Sequence, residues 1–387
     1  MDYKYVIDNI GTPTYVFDIN ELDKRIEYLK EKLDDSFKLV YAVKANTFIA
    51  KEIDPRVSRF EICSPGEFDI CNRLGLDHKK MVISGVYKDR LTIEAMISNY
   101  DDIGTYTIES VNQYNLLKEL SDKYNRKINI LIRLTSGNQF GVTEEELKEI
   151  IKNNNHEMIK ISGIEYFSGT QKQSLKKINR EIDKLLELID DIETNIGFNI
   201  EEVEFGPGVP IFYFKDEEFD HDEYFNGLNE ALLRLGDKKI LLEIGRGIAA
   251  SCGYYFTRVV DMKTNKNGNY AIVDGGINQL VYYGQTMAMR IPHYDIYPEK
   301  SDKNEKIYNL YGSLCTVNDI IVKNISVNGL ELGDTFIFKN VGAYSMTEGI
   351  SLFLSRDLPK VVIFNRDKEY IVVRDTIKTS DINYPNY

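Results

Sequence analysis

Short apolar segments alternate with amphipathic ones over the first two thirds of the chain. The apolar segments are four to seven residues long, which is typical of buried strands. Eight strands are predicted, at 38–44, 59–64, 81–86, 103–109, 128–134, 161–167, 203–206 and 240–245. Between them lie segments such as 171–193, where apolar residues recur every three or four positions and predict helices. Eight strand-helix repeats over about 220 residues are typical of a (β/α)8 barrel, a fold of the α/β class.

The pattern changes near residue 252. Beyond it, β-rich segments follow one another with turn residues and little helical periodicity between them, at 254–262, 270–276, 306–314, 319–326, 334–342 and 360–375. This pattern predicts a C-terminal antiparallel β domain. We therefore expect two domains, a barrel over 24–252 and a β domain over 253–387, which residues 1–23 join.

Composition and charge exclude several classes of function. The net charge is −13 and the chain has no run of five or more Lys/Arg, so the basic surface of a nucleic-acid-binding protein is missing. No segment predicts a membrane span, and the first 18 residues lack the features of a signal peptide. We expect a cytoplasmic protein without nucleic-acid or membrane partners.

The four cysteines are too scattered to predict a disulfide framework or a metal site. They are Cys63, Cys71, Cys252 and Cys315. We interpret the first three as core residues and expect no bound metal.

Polar and glycine-rich residues stand where the predicted barrel strands end. Lys44 ends the first strand, CSPGE (63–67) follows the second, SGTQ (168–171) the sixth, GPG (206–208) the seventh and EIGR (243–246) ends the eighth. Barrel enzymes build their sites at the carboxyl ends of the strands, so these residues should converge on one cavity. Glycines and hydroxyls suit a phosphate. A lysine, a carboxylate and a phosphate cradle are together what pyridoxal 5'-phosphate (PLP) requires.

The chain resembles the group IV PLP-dependent decarboxylases of the alanine-racemase fold, which include diaminopimelate and ornithine decarboxylases. The resemblance covers nearly the whole chain and follows the family's order of motifs, YAVKAN, EICSPGE, FSGTQ, GPG, EIGR, DGG, YGSLCTVND and VGAYS. It implies a barrel of the alanine-racemase type with a following β domain, PLP as cofactor, and α-decarboxylation of an amino acid to the amine.

The resemblance also implies roles for individual residues. Lys44 is expected to form the aldimine with PLP, Glu243 to face the pyridine nitrogen and Glu67 to lie near the cofactor. Cys315 is expected to reach the active site of the partner subunit and act on the quinonoid carbon, which implies a homodimer with shared sites. The implied phosphate anchors are Thr170, Gly206, Gly208, Arg246 and Tyr344.

Three departures from the family's pattern bear on the site. Phe167 stands where a ring-stacking histidine is usual; it can stack but lacks a titratable edge. Pro207 removes one amide donor from the glycine loop. Thr316 follows the cysteine where enzymes acting on free diamino acids carry an acidic residue, because a desolvated ammonium needs a counter-charge. We therefore expect an amino acid or conjugate, carrier-bound ones included, with a neutral, acylated or anionic far end, unless Asp319 supplies that charge.

Two other function classes share this fold. A PLP racemase or epimerase typically pairs the ring nitrogen with an arginine, and Glu243 argues against that class. A non-catalytic homologue would be expected to have lost cofactor residues, whereas Lys44, Glu243 and Arg246 all remain. Taken singly, Lys44 could be a solvated strand end and Cys315 a small buried hydrophobic residue. The eight motifs in one order favour the decarboxylase.

Overall fold

The computed structural model describes residues 1–300 and 304–385, and it divides into two units. The barrel unit contains Ile26–Pro210 and Asp220–Gly247. The β-rich unit contains Met1–Arg25, Ile211–Phe219 and Ile248–Tyr387, and its first strand is β1 (Thr14–Asp18). Among the described residues, no helix combines the length and the apolar character that crossing a membrane requires.

Eight parallel strands close into a barrel, as the sequence predicted. They are β2 (Lys38–Ala42), β3 (Arg59–Ile62), β4 (Met81–Ile83), β5 (Thr105–Ile108), β6 (Ile128–Arg133), β7 (Ile159–Phe167), β8 (Glu202–Gly206) and β9 (Lys239–Ile244). The barrel closes where β9 pairs with β2, with Val40 opposite Glu243. This pairing brings EIGR, the last motif of the barrel, next to YAVKAN, the first.

One helix, α1 (Ile19–Lys32), precedes the first barrel strand, and the others follow barrel strands. The others are α2 (Pro65–Arg73), α3 (Arg90–Asn99), α4 (Val111–Tyr124), α5 (Glu144–Asn153), α6 (Leu175–Asp191), α7 (His221–Leu233) and α8 (Arg246–Ala249), with shorter helical segments at Tyr3–Tyr5, Ala50–Ile53 and Ser380–Asn383. The SPGE sequence begins α2 for a local reason. Ser64 accepts a hydrogen bond from the amide of Glu67, and Pro65 occupies the first turn, where no intrahelical donor is needed.

Charged side chains are buried inside the barrel, where branched aliphatics usually dominate. At the amino-terminal end of the strands, Arg59 donates two hydrogen bonds of 2.9 Å to Glu202 and lies 3.4 Å from Glu204. Burial, reinforced by the charge of Glu165, raises the pKa of Glu204 to about 8. The part of the barrel interior that lies below the carboxyl ends of the strands is therefore polar.

The β-rich unit is a nine-stranded sheet with β1 in its middle. Its other strands are β10 (Gly253–Asn265), β11 (Gly268–Val273), β12 (Tyr294–Tyr297), β13 (Glu305–Tyr311), β14 (Ile320–Asn328), β15 (Thr335–Lys339), β16 (Lys360–Phe364) and β17 (Tyr370–Arg374). The main path runs β14-β13-β11-β10-β1-β16-β17, and β15 branches from β10 to pair with β12. Val16, Phe256, Ile337 and Val362 belong to one buried cluster on this sheet.

Strand pairing and chain division differ in detail from the sequence prediction. Two strand pairs are parallel, β1 with β16 and β11 with β13, so the sheet is mixed. The sequence analysis joined residues 1–23 to the β domain but did not predict the strand β1 or its pairing with β10 and β16, which are more than 200 residues away. Residues 211–219 lie within the predicted barrel range but belong to the β-rich unit. They are held there by a bridge between Phe214 and Pro292 and by a hydrogen bond from the amide of Lys215 to the carbonyl of Ile291.

Candidate active site

Lys44 stands at the carboxyl end of β2, in the short helical turn Val43–Ala45. Its Nζ lies 2.7 Å from Glu61 Oε2 and 3.4 Å from Glu243 Oε1. Both carboxylate side chains are almost fully buried, whereas 36% of the Lys44 side chain is exposed. The lysine side chain is thus partly exposed, and its ammonium is paired with carboxyl groups inside the barrel.

The two carboxyl groups beside Lys44 have pKa values shifted in opposite directions. Burial alone would raise the pKa of Glu61, but the Lys44 ammonium and hydrogen bonds from Glu243 and Cys63 lower that pKa to about 2. Burial and the anionic Glu61 raise the pKa of Glu243 well above its usual value. The pKa shifts of the two carboxyl groups therefore run in opposite directions, favouring the anionic form of Glu61 beside Lys44 and the protonated form of Glu243.

The sequence analysis missed Glu61 and misjudged Cys63. The Cys63 thiol donates to Glu61 Oε1 at 3.0 Å, and its Sγ lies 3.6 Å from Lys44 Nζ. Its interpretation as a core residue is wrong, whereas Cys71 and Cys252 are indeed buried. The period of two in β3 could have identified Glu61 and Cys63. Arg59, Glu61 and Cys63 occupy every second position, so their side chains lie on one face of the strand.

Glu67 contacts the strand end that carries Cys63. Its Oε2 accepts a 2.7 Å hydrogen bond from the amide of Cys63, and burial raises the pKa of Glu67. The predicted acidic position near the cofactor therefore fixes the turn between β3 and α2.

A second ionic group lies at the ends of β5, β6 and β7 and was also missed. Arg133 Nη1 lies 3.4 Å from Glu109, and its Nε lies 3.5 Å from Glu165. Its guanidinium carbon also lies over two aromatic rings, 4.8 Å from the centroid of Phe140 and 6.0 Å from that of Phe167. Phe167, which replaces the usual histidine, thus packs against a fixed cation.

Lys88 is a further buried cation close to this group. Its Nζ donates to the carbonyl of Gly85 at 3.0 Å. Burial lowers the pKa of Lys88 to about 8, although Glu109 and Glu165 act in the opposite direction. No local pattern in the sequence distinguishes this lysine from an exposed one.

Glycines allow the loops after β7 and β8 to approach each other closely. A Cβ on Gly206 would overlap the ring of Phe167, and a Cβ on Gly208 would lie 2.6 Å from the carbonyl oxygen of Gly169. Gly208 has φ of +61°, which glycine adopts most readily. Thr170 is half-buried in the same loop, beside Gly208. The loops after β7 and β8 therefore meet at backbone distance, as a phosphate cradle requires.

The start of α8 completes this cradle. A Cβ on Gly247 would lie 2.9 Å from Val209, so the helix start packs directly on the loop after β8. Arg246, the first residue of α8, is only 7% exposed. Backbone amides, the Thr170 hydroxyl and a guanidinium suit a phosphate, and Lys44 and Glu243 suit an aldehyde and a pyridine nitrogen. The barrel residues present fit PLP.

The remaining predicted site residues lie in the β-rich unit. The Cys315 side chain is exposed, and Thr316 beside it is half-buried. Asp319 is fully buried, and its two carboxylate oxygens accept hydrogen bonds from the amides of Ile277, at 2.8 Å, and Leu314, at 2.7 Å. Asp319 therefore holds the loop that carries Cys315.

Tyr344 also lies in this unit, with φ of +63°. Its carbonyl accepts hydrogen bonds from the amides of Thr347 and Glu348. Over residues 1–300 and 304–385, three metal-ligating side chains nowhere come together.

Comparison with known proteins identifies the family. The family model described as pyridoxal-dependent decarboxylase, pyridoxal binding domain, matches residues 19–250. The chain belongs to this family. Its cofactor is PLP and its activity is amino-acid decarboxylation, which confirms the predicted chemistry over the racemase and non-catalytic alternatives.

Relatives of the decarboxylase span its whole length. It is 26% identical to diaminopimelate decarboxylase of Haemophilus influenzae, over 97% of this chain and 93% of the relative. It is 25% identical to the L-glutamyl-[BtrI acyl-carrier protein] decarboxylase of Niallia circulans, over 96% and 92%. The crystal structure of diaminopimelate decarboxylase from Helicobacter pylori complexed with L-lysine superposes with a TM-score of 0.86, covering 98% of both chains at 23% identity. That structure supports the fold.

Proposed function

We propose that this decarboxylase holds PLP on Lys44 and acts on an amino acid whose far end carries no free ammonium. The observation that carries the first part is the position of Lys44 Nζ, 2.7 Å from Glu61 and 3.4 Å from Glu243 at the open end of the barrel. When bound, PLP supplies an electron sink for the pair left by the departing carboxyl group.

Glu61 and Glu243 are each proposed to stabilise one protonated group. Glu61 Oε2 stabilises the ammonium form of Lys44 when the amine is free, and Glu243 presents a carboxyl group to the pyridine nitrogen. Cys63 donates to Glu61 and so keeps the Oε1 oxygen of that carboxylate oriented. Phe167 is proposed to lie against one face of the cofactor ring.

The phosphate is proposed to bind between the loops after β7 and β8 and the start of α8. Thr170, Gly206, Gly208 and Arg246 are the proposed anchors there, supported by the close approach of the two loops that the glycines permit. Tyr344 is added to this set by the family resemblance alone.

A two-fold dimer is the proposed assembly. The family resemblance assigns reprotonation at the α-carbon to Cys315 of the partner subunit, with Lys44 as the other candidate donor. The exposed Cys315 side chain, on a loop held by Asp319, is compatible with insertion into a second subunit. Val317, two residues on, is 83% exposed and apolar.

The substrate proposal depends on which carboxylates remain available for an ammonium. Asp319 is engaged by two backbone amides, and Thr316 is neutral. At the barrel mouth, Glu61 faces Lys44, while Glu109 and Glu165 face Arg133. Neither of the two residues predicted to meet the far end of the substrate, Thr316 and Asp319, therefore offers an available counter-charge to an ammonium. A relative named for a glutamyl group on an acyl-carrier protein is consistent with a conjugated substrate.

A panel of substrates tests the proposal. Release of CO2 is measured with diaminopimelate, lysine and ornithine, beside glutamate, Nε-acylated lysine and glutamyl thioesters. We expect kcat/KM to be at least about tenfold higher for the best substrate without a free distal ammonium. A diamino acid as the best substrate would refute the substrate proposal and leave the cofactor assignment standing.

A further inference from the structure

Lys172 is a buried lysine in the loop after β7, with 2% of its side chain exposed. Its Nζ lies 2.7 Å from Glu181 Oε2 and donates a 2.9 Å hydrogen bond to the carbonyl of Gly206. The ammonium also lies 4.8 Å from the centre of the Phe205 ring. One side chain thus connects α6, which carries Glu181, with the end of β8.

The backbone of Lys172 contacts the same glycine loop. Its amide donates a 2.8 Å hydrogen bond to the carbonyl of Gly208. The residue therefore contacts the loop at two points, on either side of Pro207. Because Pro207 has no amide hydrogen, the loop has one donor fewer with which to fix itself.

Glu181 holds the first half of the β7 loop as well. Its Oε1 accepts a hydrogen bond from the Ser168 hydroxyl, while its Oε2 accepts from Lys172. Both ends of the segment 168–172 are consequently hydrogen-bonded to one carboxylate, that of Glu181. Thr170, between these ends, is one of the proposed phosphate anchors.

A buried ion pair is an expensive way to stabilise a fold, because both charges lose their hydration. An apolar pair of similar volume would fill this space at lower cost. The geometry indicates instead that the pair sets the relative position of two loops. The Lys172 ammonium has one hydrogen-bond partner in α6 and one at the end of β8.

We propose that Lys172 and Glu181 are positioning residues that hold the loops after β7 and β8 in register for the phosphate group of the cofactor. The inference rests on the proposed function, which assigns Thr170, Gly206 and Gly208 to the phosphate. It predicts that these two side chains govern affinity for the phosphate end of PLP and not for its aldehyde end.

The test compares PLP with pyridoxal, which carries the same aldehyde without the phosphate. Dissociation constants are measured by absorbance titration of the apoprotein for the wild type, Lys172→Met and Lys177→Met. Lys177 is a matched control, because its Nζ lies 4.0 Å from Glu181 Oε1 but its side chain is 55% exposed and belongs to α6. Lys172→Met should raise the dissociation constant of PLP about tenfold or more and change that of pyridoxal less than about twofold. Lys177→Met should change neither dissociation constant.

Equal losses for PLP and pyridoxal, or no loss for either, would overturn the proposal. If Lys172→Met unfolds because Glu181 is left unpaired, the double variant Lys172→Met/Glu181→Leu removes both buried charges. It is judged by the same comparison, the loss of affinity for PLP relative to the loss of affinity for pyridoxal. Wild-type protein that bound neither compound on Lys44 would refute the proposed function itself, a result distinct from an unchanged ratio in the variants.

Discussion

Glu61 Oε2 lies 2.7 Å from Lys44 Nζ, closer than the 3.4 Å that separates Lys44 from Glu243 Oε1. The nearest counter-ion of the proposed cofactor lysine is therefore a residue of β3, not the carboxyl group proposed for the pyridine nitrogen. Burial and the charge of Glu61 both raise the pKa of Glu243, which favours its protonated form.

Lys44→Ala should abolish the covalent attachment of PLP and the decarboxylase activity. The reason is that no other amine occupies the position between Glu61 and Glu243 in the described structure. Borohydride reduction followed by peptide mass analysis measures the attachment. Lys38→Ala, an exposed lysine at the other end of β2, is the matched control and should retain the adduct. An adduct that survived in Lys44→Ala would show that the site is misassigned.

Glu61→Gln should lower kcat by about tenfold or more, because Lys44 loses its nearest anion and Glu243 loses the charge that raises its pKa. The pKa of Glu243 should fall, so the pH profile of kcat should also shift. Glu201→Gln, an exposed carboxylate at the opposite end of the barrel, serves as control. An unchanged rate and profile in Glu61→Gln would remove Glu61 from the catalytic group.

Glu204→Gln should stabilise the protein at alkaline pH. The folded-state pKa of Glu204 is about 8, against 4.5 as its ordinary value, so folding favours its protonated form. That contribution is complete below about pH 4.5 and is lost as pH rises through 8, at about 1.4 kcal/mol per pH unit. Urea unfolding at pH 5 and pH 8 should therefore show a smaller pH dependence in the variant. An identical dependence in both proteins would contradict the assignment.

Mixing inactive Lys44→Ala and Cys315→Ala subunits should restore activity if the sites are shared. After random exchange, half of the dimers are mixed and each contains one intact site, so recovery should approach about a quarter of wild-type activity. Mixing Lys44→Ala with the double variant Lys44→Ala/Cys315→Ala provides the negative control, because no dimer then contains an intact site. No recovery despite demonstrated subunit exchange would exclude the shared-site model.

Thr316→Glu should raise kcat/KM for diaminopimelate by about tenfold or more, because it introduces the missing counter-charge. Asp319→Asn should instead destabilise the loop without changing substrate preference, since both oxygens accept from backbone amides. Steady-state kinetics and thermal unfolding of both variants separate the two effects. A change of preference in Asp319→Asn would show that its carboxylate contacts substrate.

Local sequence pattern determined the strands of the barrel and the positions of its chemical groups along them. Lys44, Glu243 and Arg246 were found because each stands at or just after a strand end, and strand ends on one rim must converge. The start of α2 was equally predictable, because the Ser64 cap and Pro65 act within one helical turn.

Tertiary structure alone decided which charges pair. Glu61 and Glu243 are 182 residues apart, and Lys172 meets Gly206 across 34 residues, so no periodicity links them. Likewise, β1 takes its place between β10 and β16 only when the sheet forms. Hydrophobic pattern reports which side of a strand is buried, but a buried charge is stabilised by the partner that folding brings to it, and that partner is defined by distance in space.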